Sequence, residues 1–260
     1  MTIYDSIEYK KNILSQVIIR VDFAQFIETE LVFDSAIEKV IHQYFPNKGM
    51  IQIIRYNTIT EHYEEGSSSL ARSLDVNEGK QREYLSKDLK NKLILSNKYI
   101  IFEINIYRNF NKVCEYLNPV FDILFSKTEL NTSRVGIRYI NLLDSEKMKI
   151  QKNFFSQEIA AIINSKTFND DSTITLRRSM QTVEYLVDDM ILYFRFGLYN
   201  PQYPGSIVDN SFALDYDCFT GDALNTKEEV MTVLNKGHDS IQKLFEESIT
   251  DSLRKVMNDE

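Results

Sequence analysis

The chain has 260 residues, a formal charge of −8, 43% hydrophobic residues and two cysteines. That apolar content can bury one large core or two small ones, whereas the acidic balance argues against general nucleic-acid binding, which rewards clustered Lys and Arg. Only 4 Pro and 8 Gly occur, with no long Ser-, Gly- or Pro-rich tract, so a continuous body is expected rather than domains on flexible linkers.

The first residues mix Asp5, Glu8, Lys10 and Lys11 with apolar positions, unlike a secretory leader. No run approaches the roughly 18 apolar residues that span a bilayer, so a cytoplasmic protein without membrane contact is expected. Val17 to Phe26 alternates and is β-branched, which predicts a strand. Asp34 then caps a helix from Ser35 to Phe45 that stops at Pro46. Met50 to Tyr63 reads as a long strand. Glu64 to Gly79 lacks a clear period and reads as loop. Strands follow at Gln81 to Ser86, Lys92 to Ser96 and Lys98 to Tyr107, then a helix from Asn111 to Lys127 interrupted or kinked at Pro119.

The second half repeats this order approximately. Ser133 to Leu142 is a strand, Phe154 to Asn164 a helix, and Ser172 to Met180, Thr182 to Val187 and Asp189 to Tyr199 three strands, the last two joined by a turn at Asp188-Asp189. After the proline-bounded loop Asn200-Pro-Gln-Tyr-Pro-Gly205 comes a strand from Ser211 to Phe219, then a long terminal helix from Lys227 to Val256, kinked or divided at Gly237. The expected class is α+β: a curved antiparallel sheet with helices on one face. Residues 1–130 and 131–260 form halves of one body, each running strand, helix, four strands, helix. The hairpin Leu95 to Tyr107 is echoed by Leu186 to Tyr199, a pattern open to duplication or to convergence.

Strand alternation places the charges. In Arg134-Val-Gly-Ile-Arg-Tyr-Ile-Asn141, Val135, Ile137 and Tyr139 share one side, and Arg134, Gly136 and Arg138 the other. Likewise Arg20 and Asp22 oppose Val17, Ile19, Val21 and Phe23; Glu103 opposes Phe102 and Ile104; Tyr193 and Arg195 oppose Leu192, Phe194 and Phe196; and Asp215 and Asp217 oppose Phe212, Leu214 and Tyr216. One face therefore carries both signs. Three readings stay open: cross-strand ion pairs on a solvated sheet; a binding surface offering Arg20, Arg134, Arg138 and Arg195 to an anionic or carboxylate-bearing partner, with Tyr139 or Tyr193 for stacking; or a divalent-cation site at Asp215-Tyr-Asp217.

Other features carry less. Arg177-Arg178 near Thr173 and Thr175 suits either phosphate contact or a solvated edge. His42, His62 and His238 lack metal-ligand spacing, and His42 and His238 read as helix-surface or interface residues. Ser67 to Ser69 lacks a nucleophile-elbow context, and no glycine-rich phosphate loop occurs. No cofactor is expected. Cys114 and Cys218 read as reduced, packed thiols. The terminal helix has an apolar stripe from Val230 to Val256, suited to packing on the sheet or to a dimer surface.

Val135-Gly-Ile-Arg-Tyr-Ile-Asn141, Ser211-Phe-Ala-Leu-Asp-Tyr-Asp217 and His238-Asp-Ser-Ile-Gln-Lys-Leu-Phe-Glu-Glu-Ser-Ile-Thr250 together resemble a sporadically distributed, uncharacterised prokaryotic family of about this length. Its hallmarks are a Gly-Leu-Arg-Tyr-Ile-Asn strand, a late Asp-rich strand and a helix of the His-x-x-x-x-x-x-Phe-x-x-x-Ile-Thr kind. Here Ile137 replaces the commoner Leu, and Leu142-Leu143 follow where a basic residue is usual. The resemblance implies no established activity; patchy distribution suggests mobile or defence-associated gene neighbourhoods. The resulting expectation is a non-catalytic binding or regulatory module acting through the mixed-charge face on a protein partner, a second copy or an anionic ligand. The alternatives are a metal-dependent hydrolase or nuclease-like enzyme built on Asp215 and Asp217, with Asp22 or Glu103, and an obligate structural subunit of an assembly.

Overall fold

The computed structural model describes residues 9–63, 70–143, 152–164, 178–205 and 211–258, with only the backbone described at 56–63, 70–77, 152 and 162–164. The segments expected as loop at Glu64 to Ser69 and as strand at Ser172 to Arg177 lie outside these residues, as does Arg177 of the Arg-Arg pair. Arg178 sits over the Tyr203 ring, 4.5 Å from its centroid.

The order is β1 (Leu14–Phe23), α1 (Thr29–Val32), α2 (Ser35–Tyr44), β2 (Asn47–Tyr63), β3 (Leu70–Leu85), β4 (Lys92–Ser96), β5 (Tyr99–Ile104) and α3 (Phe110–Lys127). Then come β6 (Thr132–Leu143), a 3₁₀ turn (Lys152–Phe154), α4 (Gln157–Asn164), β7 (Ser179–Val187), β8 (Met190–Tyr199), β9 (Ser211–Thr220), α5 (Lys227–Ser248) and α6 (Asp251–Asn258). All strands join one nine-stranded antiparallel sheet in the order β2-β3-β4-β5-β1-β6-β9-β8-β7. β1 and β6 meet near the middle, pairing Val21 with Val135 and Ile19 with Ile137.

The alternation predicts which face is dry. Val17, Ile19, Val21 and Phe23 of β1, Phe102 of β5, Val135 and Ile137 of β6, Leu192 of β8, and Leu214, Tyr216 and Cys218 of β9 are all buried. The helices pack on this side. Phe45, following α2, and Phe121 of α3 both contact the Phe102 ring, and Phe155 stacks on Phe212 at 4.6 Å. Each fully buried large apolar side chain contributes about 1.5–3 kcal/mol, so this layer holds the fold together. Both cysteines are unbridged, and burial pushes the Cys218 thiol up to about 12.

The Asp34 cap acts as read, its carboxylate accepting from Ala36 N at 2.8 Å; on α5 the structure adds a capping box of Thr226 with Glu229. Several expectations need correction. Leu70–Gly79 belongs to strand β3 rather than to a loop. It pairs along β2 from Tyr63↔Leu70 to Ile54↔Gly79, whereas β4 pairs with β3 only from Gln81 to Leu85. A ribbon with one neighbour strand has little core to imprint a period of two. Of interruption or kinking at Pro119, interruption does not occur: α3 is continuous through it. Phe154 to Asn164 is divided into the 3₁₀ turn and α4.

The terminal helix is not divided at Gly237 either. α5 continues through it, and the break falls at Ile249-Thr250, where Ile249 bridges to Phe155 and Thr250 N donates to Phe154 O at 3.0 Å. Gly237 has a packing role. A Cβ there would stand 2.8 Å from Ile137 Cγ2 and 3.3 Å from Met190 Cε, so the absent side chain lets α5 lie close on the sheet. Gly237→Ala should therefore destabilise by about 1–2 kcal/mol despite alanine's better helix propensity, because overpacking outweighs that gain. Urea denaturation checks this; a stabilised variant would show that the helix is not held close.

Candidate functional site

The sheet face opposite the core brings most of the sequence-marked charges together. At its centre, Arg138 holds Asp215 through two parallel bonds, Nε to Oδ1 and Nη2 to Oδ2, both 2.7 Å. Arg195, directly across from Asp215 in the β8–β9 register, reaches the same carboxylate at 3.1 Å and lies 3.7 Å from Asp217. Arg134 donates to Asp217 at 3.3 Å while its guanidinium stacks over Phe219, 4.3 Å from the centroid. The result is a chain Arg134–Asp217–Arg195–Asp215–Arg138 spanning β6, β9 and β8. The Asp215 carboxylate holds the Arg138 guanidinium above its ordinary pKa.

The network extends sideways. Arg20 grips Asp22 two residues along β1 through both Nε and Nη2 and lies over the Tyr99 ring. Lys92 of β4 pairs with Glu103 of β5 at 3.1 Å. Tyr193 also lies on this face; the Glu184 carboxylate beside it raises its hydroxyl. Between β1, β5 and β6 a depression of about 250 Å³ has Arg20, Arg134 and Arg138 on its walls with Glu103 and Asp217, and Gly136 in its floor. Gly136 is small because its partner Phe219 stands where a Cβ would go, 2.8 Å from that position.

Height above the sheet separates the two signs. The side chains of Asp215, Asp217 and Asp22 are 9%, 14% and 15% exposed, whereas Arg134, Arg195, Arg138 and Arg20 are 30%, 30%, 36% and 42% exposed. The acids are sunk and the guanidiniums stand over them, so three arginines above two aspartates present a cationic top at the centre. The Asp215-Tyr-Asp217 carboxylates are already engaged by guanidiniums, a poor setting for a divalent cation. Among the described residues no group of three or more His, Cys, Asp or Glu is placed to hold a metal ion.

Tyr139 does not join this face. It lies on the helix side of β6, 5% exposed, where its hydroxyl shares a 2.8 Å hydrogen bond with His238 Nδ1 and a 3.3 Å one with Tyr107 Oη. Burial keeps the Tyr139 hydroxyl well above its ordinary pKa, hence neutral. Of the two readings of His238, helix surface or interface, the structure takes the second: half-buried on α5, its ring stacks on Phe110 at 4.4 Å. His42 makes an edge contact with Tyr84, and the side chain of His62 lies outside the described residues.

Beside Tyr139, sequence reasoning missed a cavity of about 470 Å³. It opens between the segment leading into β1, the start of α3, the end of β6 and the middle of α5. Its walls combine Tyr9, Tyr107, Tyr139 and Phe245 with the amides of Asn12, Asn109, Asn141 and Gln242 and the cations Lys10, Arg108 and Lys112. No single segment contributes enough of these to be legible as a motif. The available signal was indirect: Tyr139, Asn141, Gln242 and Phe245 all fall within the two segments Val135–Asn141 and His238–Thr250.

These two segments and Ser211–Asp217, all distant in sequence, touch repeatedly. Arg138 binds Asp215, Tyr139 binds His238, Asn141 donates to Leu214 O at 3.2 Å, and Tyr216 meets Phe245 edge-on at 6.4 Å. Comparison with known proteins found no match among family models or curated sequences. Among the described residues no helix is long and apolar enough to cross a membrane.

Proposed function

We propose that the protein is a non-catalytic binding or regulatory module whose charged sheet face receives an acidic, carboxylate-bearing patch of a partner protein. The observation that carries this reading is the exposure difference, with guanidiniums raised over sunken aspartates at the centre of a broad sheet. Bidentate pairing of Arg20 and Arg138, and the aspartates contacted by Arg134 and Arg195, hold the guanidiniums in fixed orientations before a partner arrives, which lowers the ordering cost of binding. The chain's overall charge of −8 makes this cationic patch a local exception rather than a consequence of composition.

The same reading takes the chain as a member of the uncharacterised prokaryotic family it resembles, on the strength of the three motif segments in its sequence. It also takes the halves as pseudo-repeats. In support, the strand order runs outward from the central β1–β6 pair, with β5, β4, β3, β2 on one side and β9, β8, β7 on the other.

Arg138 and Arg195 are unsuitable for testing binding alone, because both brace Asp215. Arg20 and Arg134 are better, since their guanidiniums stand 42% and 30% exposed and Arg195 still reaches Asp217 when Arg134 is replaced, so losing these pairs is expected to cost about 0–1 kcal/mol. Joint replacement, Arg20→Gln with Arg134→Gln, should weaken partner affinity at least about tenfold, an effect of about 1.4 kcal/mol, with the thermal midpoint nearly unchanged. Calorimetric titration of the partner into both proteins checks this, and equal affinities would refute the assignment of the face.

A further inference from the structure

The cavity beside Tyr139 lies on the other side of the sheet from the arginines and has a different chemistry, so its role is independent of the partner face. Its volume of about 470 Å³ falls in the range of small-molecule sites, about 300–1,000 Å³. Lys10, Arg108 and Lys112 line it and, among the described residues, no Asp or Glu does. That bias runs against the composition, which has 38 acidic residues and 30 basic ones. Lys112 is shared with Glu115 at 2.6 Å on the exposed surface of α3, and Arg108 is exposed on the loop before α3. The cations therefore gather at the opening.

Deeper, the lining changes character. Tyr107, Tyr139 and Phe245 supply aromatic surface, and the hydroxyl chain from Tyr107 through Tyr139 to His238 fixes the Tyr139 ring in place. Asn141, 4% exposed, is anchored by its Nδ2 on Leu214 O, and Gln242 faces the cavity from the middle of α5. Aromatic faces accept a planar ring, side-chain amides offer both donors and acceptors to its edge, and Arg with Lys suits a phosphate or carboxylate. We propose that this cavity binds a small molecule joining a planar heteroaromatic ring to an anionic group, the chemistry of a nucleoside monophosphate. The ring lies against Tyr107 and Phe245, with its edge toward Asn141 and Gln242. The anion sits at the mouth beside Arg108 and Lys10.

Isothermal titration of the full chain with AMP, GMP, CMP and UMP, with the corresponding nucleosides, and with inorganic phosphate tests this. At least one monophosphate should bind about tenfold or more tightly than its nucleoside and than phosphate. Arg108→Ala, a change at an exposed position, should weaken that monophosphate about tenfold and leave nucleoside binding nearly unchanged. Gln242→Leu should alter the ranking among the four bases while Arg108 still favours the phosphate. Absence of binding by all four monophosphates, phosphate binding as tightly as any nucleotide, or an Arg108→Ala protein that binds like the parent would overturn the proposal.

Discussion

Asp215→Ala is expected to be among the most damaging single changes in the molecule, lowering stability by about 2–3 kcal/mol and the thermal midpoint by roughly 5–10 °C. Asp215 is only 9% exposed yet accepts from two guanidiniums, at 2.7 Å from Arg138 and 3.1 Å from Arg195. Removing it leaves both cations without their shared carboxylate at the middle of the sheet. The loss falls below the about 3–5 kcal/mol typical of breaking a fully buried pair, because each arginine is about a third exposed and can be rehydrated. Asp215→Asn, which keeps the shape and one acceptor oxygen, should lose less. Denaturant titration of both variants decides: equal, small losses would mean that the pairs are surface ornaments and that the arginines are not preorganised.

Gly197→Ala should cost about 3 kcal/mol or more, enough to reduce the yield of folded protein. Gly197 lies within β8 with φ +145°, a conformation L side chains rarely adopt. A Cβ would also overlap the carbonyl oxygen of Ser179, backbone of β7 that no rotamer change can move away. β7 would have to separate from β8 at that end, breaking the Met180↔Gly197 register. Circular dichroism melts and hydrogen exchange along β7 measure this. A variant melting within a degree or two of the parent would contradict it.

Sequence patterns were legible where a core exists to impose them. Strands β1, β5, β6, β8 and β9 bury one face, so their alternation separated Val17, Ile19 and Val21 from Arg20 and Asp22, and Leu214 and Tyr216 from Asp215 and Asp217. Leu70–Gly79 was illegible because that stretch of β3 pairs with β2 alone. Division of the terminal helix at Gly237 was the wrong expectation because a helical glycine suggests a break, whereas its missing side chain serves close packing on the sheet beneath, at Ile137 and Met190. The ion pairs required tertiary register: Arg138 stands opposite Asp217 yet bonds diagonally to Asp215, a choice no spacing encodes. Alternation correctly put Tyr139 on the core side, which places it beside His238 and the second cavity rather than among the arginines.

Docking of a partner on the charged face should be electrostatic, because guanidiniums are the most exposed groups of its central network. Native mass spectrometry of the chain purified gently from its own host, at rising ionic strength, tests that directly. A stoichiometric protein partner is predicted to co-purify, to dissociate progressively as salt screens the exposed guanidiniums, and to be missing from the Arg20→Gln, Arg134→Gln protein. A chain that carries no partner, or a partner retained equally by that variant and at high salt, would contradict it.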